Sequence, residues 1–124
     1  EGFVARKNEM YALYHQLLDG KKGLRLLPFR EDIRSNRWFF SLYLTDEYPL
    51  KRDELLARLM EEKIQTRTIW ALINEQKPYV KCEAYATEKA EDYRARVVNL
   101  PCSTNLADED IRRVCEAVLR QAGA

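Results

Sequence analysis

The stretch WFFSLYLT, residues 38–45, sets Trp38, Phe40, Leu42 and Leu44 in alternation with Phe39, Ser41, Tyr43 and Thr45. Side chains along a β-strand point to opposite faces in turn, and aromatic and branched side chains suit a pleated surface, so this spacing predicts a strand with one apolar face. Upstream, LRLLPF (24–29) is a short apolar run whose proline confines it to an edge or to a strand end. The polar link REDIRSNR (30–37) is the length of a hairpin loop that can carry functional groups. Two strands joined in this way cannot be parallel without a crossover, which predicts a mostly antiparallel sheet.

Helices flank this hairpin. Met10, Leu13, Tyr14, Leu17 and Leu18 recur at i, i+3, i+4, i+7 and i+8, the mark of an amphipathic helix, and Gly20 supplies the left-handed residue that closes it. A second helix carries Leu55, Leu56, Leu59 and Met60 as its apolar stripe, has Asp53 and Glu54 at its positive end, and stops near Lys63. The β-branched residues of IQTRTIW (64–70) predict a third strand that runs out into the irregular ALINEQKPYVK. Thr87 is placed to cap a third helix through Tyr93, VVNLP (97–101) is a last strand halted by Pro101, and Ile111, Val114, Cys115, Val118 and Leu119 mark a final helix begun by Asp108, Glu109 and Asp110. The order helix, two strands, helix, strand, helix, strand, helix makes an α+β domain with helices packed on one face of a small sheet, whose strand order is not readable from sequence.

Composition narrows the functional classes. At 124 residues and 46% hydrophobic, the chain is one globular domain without repeats or linkers. Twenty-one basic residues against 20 acidic ones, mixed along the chain, give no basic stripe for a nucleic-acid backbone. Cys82, Cys102 and Cys115 lack zinc-site spacing and His15 is the only histidine; reduced thiols in a soluble cytoplasmic chain are expected, with Cys115 in the core. No run approaches the ~20 apolar residues of a membrane span, and the first residues lack a signal-peptide core. Phosphate-loop, dinucleotide, serine-nucleophile and zinc-protease motifs are absent, and His15, on or beside a leucine-bearing helix face, reads as a structural or surface residue rather than a catalytic one.

Two places concentrate side chains suited to recognition. At the loop-to-strand junction, Asn36 and Arg37 can hydrogen-bond phosphate or sugar oxygens and Trp38 offers a flat apolar face; by residue type alone, the plainer reading, with Trp38 in the core and Arg37 in solvent, is favoured. The second place gathers Arg67, Trp70 and Tyr79 around the amides Asn74 and Gln76, the make-up of a ligand-facing sheet edge.

With these blocks in view, SNRWFFSLYL, RDELLARLMEEKIQTRTIWALINEQKPY and VVNLPCSTNLADEDIRRV resemble, in that order, the C-terminal small domain of the DegT/DnrJ/EryC1/StrS family, pyridoxal-phosphate-dependent aminotransferases acting on nucleotide-linked keto sugars. The resemblance covers nearly all of residues 1–124. It implies the small domain of a fold type I enzyme, whose separate large domain carries the Schiff-base lysine and most contacts to pyridoxal 5'-phosphate; no catalytic or cofactor residue is carried over to this chain. It further implies a nucleotide-diphosphate keto sugar and an amino donor, glutamate in the family, as ligands of a full-length homodimer, with Asn36, Arg37, Trp38, Arg67, Trp70 and Tyr79 facing the sugar nucleotide. The wording of QTRTIW and QKPY is most similar to the branch serving bacterial surface polysaccharides, lipopolysaccharide included. A sugar dehydratase of the same family, or a stand-alone α+β binding module, is the alternative. Thr68 and Ala107 depart from the proline and the capping threonine expected at those places.

Overall fold

The computed structural model describes residues 1–123. Its elements follow the expected order: α1 (Gly2–Leu18), β1 (Leu24–Leu26), β2 (Phe40–Leu44), α2 (Arg52–Glu61), β3 (Arg67–Thr68), α3 (Glu88–Arg96), β4 (Val97–Leu100) and α4 (Asp108–Gln121), with a single 3-10 turn at Ile73–Glu75. All strand pairs are antiparallel, in the order β1-β2-β4-β3. The proline-bearing run is thus an edge strand, as its composition requires.

β2 carries the predicted alternation, with Phe40, Leu42 and Leu44 buried and Ser41 and Tyr43 half-buried. The buried row meets Met10, Tyr14 and Leu18 of α1, Leu55 and Leu59 of α2, and Ile111, Cys115 and Val118 of α4 in one core. Each such side chain contributes roughly 1.5–3 kcal/mol by leaving water. Central β4 is buried at all four positions. Val98 and Leu100 belong to the main core, while Val97 and Asn99 lie on the other face of the sheet.

That other face also has a helix, contrary to the expectation that all helices share one side. α3 lies against it: the Tyr43 hydroxyl donates to Asp92 at 2.8 Å, Tyr43 and Tyr93 meet edge to face, and Arg96 pairs with Asp46 at 2.7 Å. With no fully buried residue, α3 is held by these polar and aromatic contacts instead of an apolar stripe.

Several local expectations are corrected. Trp38 does not continue the core row: regular pleating begins at Phe40, and Trp38 is 65% exposed. Met60 is exposed as well, because the inward stripe of α2 narrows to Leu55 and Leu59. The third strand shrinks to two residues, Arg67 and Thr68. α3 runs on to Arg96, and the Thr87 hydroxyl donates to Glu91 at 2.6 Å without capping a backbone N–H. At the last helix Ala107 offers no side-chain cap, and only the returning contact forms, the Ala107 N–H donating to Asp110 at 3.2 Å. No helix among the described residues is long and apolar enough to cross a membrane.

Two glycines close turns in the left-handed region, with different neighbours. Gly20, at φ +68°, has open space where a Cβ would stand; Gly23, at φ +71°, would place that carbon 2.2 Å from the backbone nitrogen of Tyr48. Gly20→Ala is expected to cost about 1–2 kcal/mol, the left-handed penalty alone. Gly23→Ala adds a backbone clash and is expected to cost at least about 3 kcal/mol in urea unfolding; equal losses at the two positions would contradict this packing.

Buried acids set a second expectation. Burial pushes the Cys115 thiol from its ordinary 9.0 up to about 12. Burial likewise raises the phenols of Tyr14 and Tyr48, which donate to the carbonyls of Pro101 and Val118. Above pH 9 the unfolded chain loses protons that the folded chain keeps, so stability falls with rising pH. The contribution is intact below pH 9 and is lost towards about pH 12. Thermal midpoints measured across that window should decline steadily.

Candidate functional site

Residues directly opposite in antiparallel strands share a face. Ser41 lies opposite Asn99, and Asn99 opposite Arg67, so these three form a polar row on the sheet face away from the main core. The Ser41 hydroxyl fastens the row by donating to Asn99 Oδ1 at 2.9 Å.

Three aromatic rings gather just before β2 begins. Trp38 stacks on Phe39 with centroids 5.0 Å apart and planes 23° from parallel; Trp70 meets Phe39 edge-on at 5.4 Å and lies 6.1 Å from Trp38. In a regular strand neighbouring residues point to opposite faces, so a stack of 38 on 39 forms only where the pleat has not started. Arg37, at φ +49°, is the break. Trp38 and Trp70 are 65% and 67% exposed, so the three rings make an outward-facing platform able to take the flat face of another ring.

A cleft of about 460 Å³ adjoins the platform and shares Phe39 with it. β3 pairs only with Val98 and Asn99, leaving β4 from Leu100 onward without a strand beside it on that edge. Lys63, Arg67 and Arg113 line this cleft against the single carboxylate of Asp110. Among the described residues Arg67 pairs with no carboxylate, so its five donors are available to an anion.

The six residues singled out in the sequence therefore divide. Trp38 and Trp70 come together, and Arg67 lines the adjoining cleft that their partner Phe39 also borders. Asn36 supports the group indirectly, its Oδ1 accepting the Trp38 N–H at 3.2 Å. Arg37 turns back onto α1, its guanidinium 4.4 Å from the ring of Tyr11 and 4.6 Å from that of Phe29. Burial raises the Tyr11 phenol, against the opposing pull of Arg37. Tyr79 is half-exposed and stacks on neither tryptophan.

Trp70 and Tyr79 sit on the long segment 69–86, whose backbone hydrogen bonds are all local, from Glu75 to Leu72, Gln76 to Ile73, Tyr79 to Gln76 and Cys82 to Tyr79. One ion pair, Glu75 with Arg94 at 3.8 Å, ties this strap to α3. Phe39, Lys63 and Arg113 escaped sequence reasoning. An aromatic residue on the non-core side of the predicted strand was the available signal for Phe39; nothing in the sequence marks the two cations.

Other chemistry-capable groups lie apart. His15 faces Asp19 at 3.4 Å on the surface of α1, Cys115 is in the core, and no metal-binding cluster occurs among the described residues. A pyridoxal group needs a lysine amine within a cavity, an acid for its ring nitrogen and donors for its phosphate. Every lysine here is exposed except Lys7, whose ammonium donates to the carbonyls of Trp38 and Cys102. The described residues do not form that cradle.

Comparison with known proteins places this arrangement. Residues 1–119 match the family described as DegT/DnrJ/EryC1/StrS aminotransferase. A Bacillus subtilis (strain 168) protein provisionally named pyridoxal phosphate-dependent aminotransferase EpsN is 28% identical over 94% of this chain and 30% of its own length. The dTDP-4-amino-4,6-dideoxy-D-glucose transaminase of Escherichia coli is 24% identical over 96% of this chain and 33% of its own. Among solved structures, DesI, crystallised in the presence of its TDP-sugar product, superposes with a TM-score of 0.89 at 24% identity, over 98% of this chain and 31% of that one. The chain thus spans about a third of the length of these relatives, and the likeness to DesI establishes the fold. Matched in sequence over nearly its whole length, the chain belongs to the DegT/DnrJ/EryC1/StrS aminotransferase family.

Proposed function

We propose that residues 1–124 are the C-terminal small domain of a pyridoxal-phosphate-dependent aminotransferase, which transfers an amino group from glutamate to a nucleotide-linked keto sugar, and that this domain walls the sugar-nucleotide cleft. The observation that carries the reading is the adjacency of an exposed aromatic platform to a cleft bordered by three cations and one carboxylate. A flat ring next to a diphosphate is what a sugar nucleotide presents. Trp38, Phe39 and Trp70 take the base or the sugar face, and Arg67 pairs with phosphate oxygens as a planar fork. Asn36 and Arg37 serve from behind the platform, and Tyr79 closes on the ligand from the strap.

The names of the relatives support this reading, since the Escherichia coli protein is a transaminase of a dTDP-linked sugar and DesI was crystallised with a TDP-sugar. They favour transamination over the dehydratase reading and over a stand-alone binding module. The cofactor, when bound, supplies the electron sink for nitrogen transfer, and its cradle belongs to the large domain of the parent protein. A cytoplasmic homodimer serving surface-polysaccharide synthesis is the setting we assign to that parent.

Two substitutions test the assignment in the parent enzyme. Arg67→Ala removes a charge-assisted contact and should raise KM for the sugar nucleotide about tenfold, or about 1.4 kcal/mol. Trp70→Ala removes a stacking surface and should weaken binding by about 1–3 kcal/mol. Unchanged affinity in both variants rejects the assignment. The 124-residue chain, mixed with pyridoxal phosphate and borohydride, should yield no saturable lysine adduct; a site-specific adduct would place the cofactor lysine here and overturn the domain assignment.

A further inference from the structure

We propose that Arg37 is a positioning residue for the aromatic platform: gripped by α1, its guanidinium fixes the turn that sends Trp38 outward onto Phe39 and Trp70. An arginine at φ +49° sits where side-chain-bearing residues are disfavoured, and such a conformation persists only when its surroundings over-determine it. The guanidinium sits in the corner formed by the rings of Tyr11 and Phe29, which themselves meet edge to face at 5.1 Å; its Nε donates to Asn8 Oδ1, and the backbone N–H of Arg37 donates to the Ser35 hydroxyl at 3.0 Å.

The next residue is bound to the same helix. The Trp38 carbonyl accepts from Lys7 Nζ at 3.1 Å and from the Cys102 thiol at 3.2 Å, while its N–H donates to Asn36. Lys7, Asn8 and Tyr11 stand at i, i+1 and i+4 of α1 and form one seat beneath the turn. Meanwhile Arg37 Nη1 is buried without an acceptor. A strained backbone together with an orphaned donor is a poor arrangement for stability alone; it is explained by what the residue holds in place. Only a planar, delocalised cation can rest against both rings of this corner while bonding through its edge, so lysine cannot replace it.

The two tryptophans of the chain, 6.1 Å apart, provide the measurement. At that separation their excitons couple, and the far-ultraviolet circular dichroism of the 124-residue chain should carry a couplet that Trp70→Phe removes. Arg37→Gly adopts the left-handed backbone without strain but has no guanidinium, and Arg37→Lys keeps the charge without the planar fork. We expect both variants to lose the couplet while retaining the helical signal and cooperative thermal unfolding. A couplet that survives in Arg37→Gly, or one missing from the unaltered chain, overturns the proposal. That the platform receives a ring of the substrate rests on the reading given above. The clamp is measured without ligand, so retained substrate affinity in Trp70→Ala would reject that reading and leave a lost couplet standing as evidence for the clamp.

Discussion

Everything in this domain hangs on the seating of β4 between β2 and β3. Val98 and Leu100 complete the core face begun by Phe40, Leu42 and Leu44, and Asn99 links Ser41 to Arg67 on the opposite face. Only a strand buried on both sides can do both. The pairing joins distant parts of the chain, and because the entropy of closing a loop grows slowly with its length, the long excursion through α2, β3 and α3 is tolerated. The edge strands can then be short: β1 has three residues and β3 two.

α1 serves the fold and the candidate site with different sides of one cylinder. Met10, Tyr14 and Leu18, spaced by four, enter the core. Lys7, Asn8 and Tyr11 face the turn before β2 and hold Arg37 and Trp38 from below. A helix anchored by its apolar row gives the polar seat a rigid base, and residues far from any ligand thereby govern where an exposed tryptophan stands.

Legibility from sequence followed the physics of each signal. The alternation in residues 40–44 and the repeat of Ile111, Val114, Cys115 and Val118 were readable because burial enforces a period on side chains. Trp38 misled because the same alternation extends one step beyond the pleat, and the left-handed φ of Arg37 that ends it leaves no mark in residue type. Arg67, Trp70 and Trp38 stood out as recognition-grade side chains. Their convergence on Phe39 depends on β3 lying next to β4 and not β1, a strand order that no local pattern encodes. Lys63 and Arg113 were hidden for the same reason, being ordinary surface cations until the fold brings them to one cleft.

The strap between β3 and α3 divides the platform mechanically. Trp38 is rooted in a helix and a sheet, whereas Trp70 rides on a segment with purely local backbone bonds and a single ionic tether. Few long-range backbone bonds put that segment at the low end of local stability, so its amides are expected to exchange with solvent before those of β2 and β4. One jaw is stiff and the other compliant. The place of Trp38 is therefore fixed by the core, whereas that of Trp70 can be altered by changes in residues 71–86 that leave the core untouched.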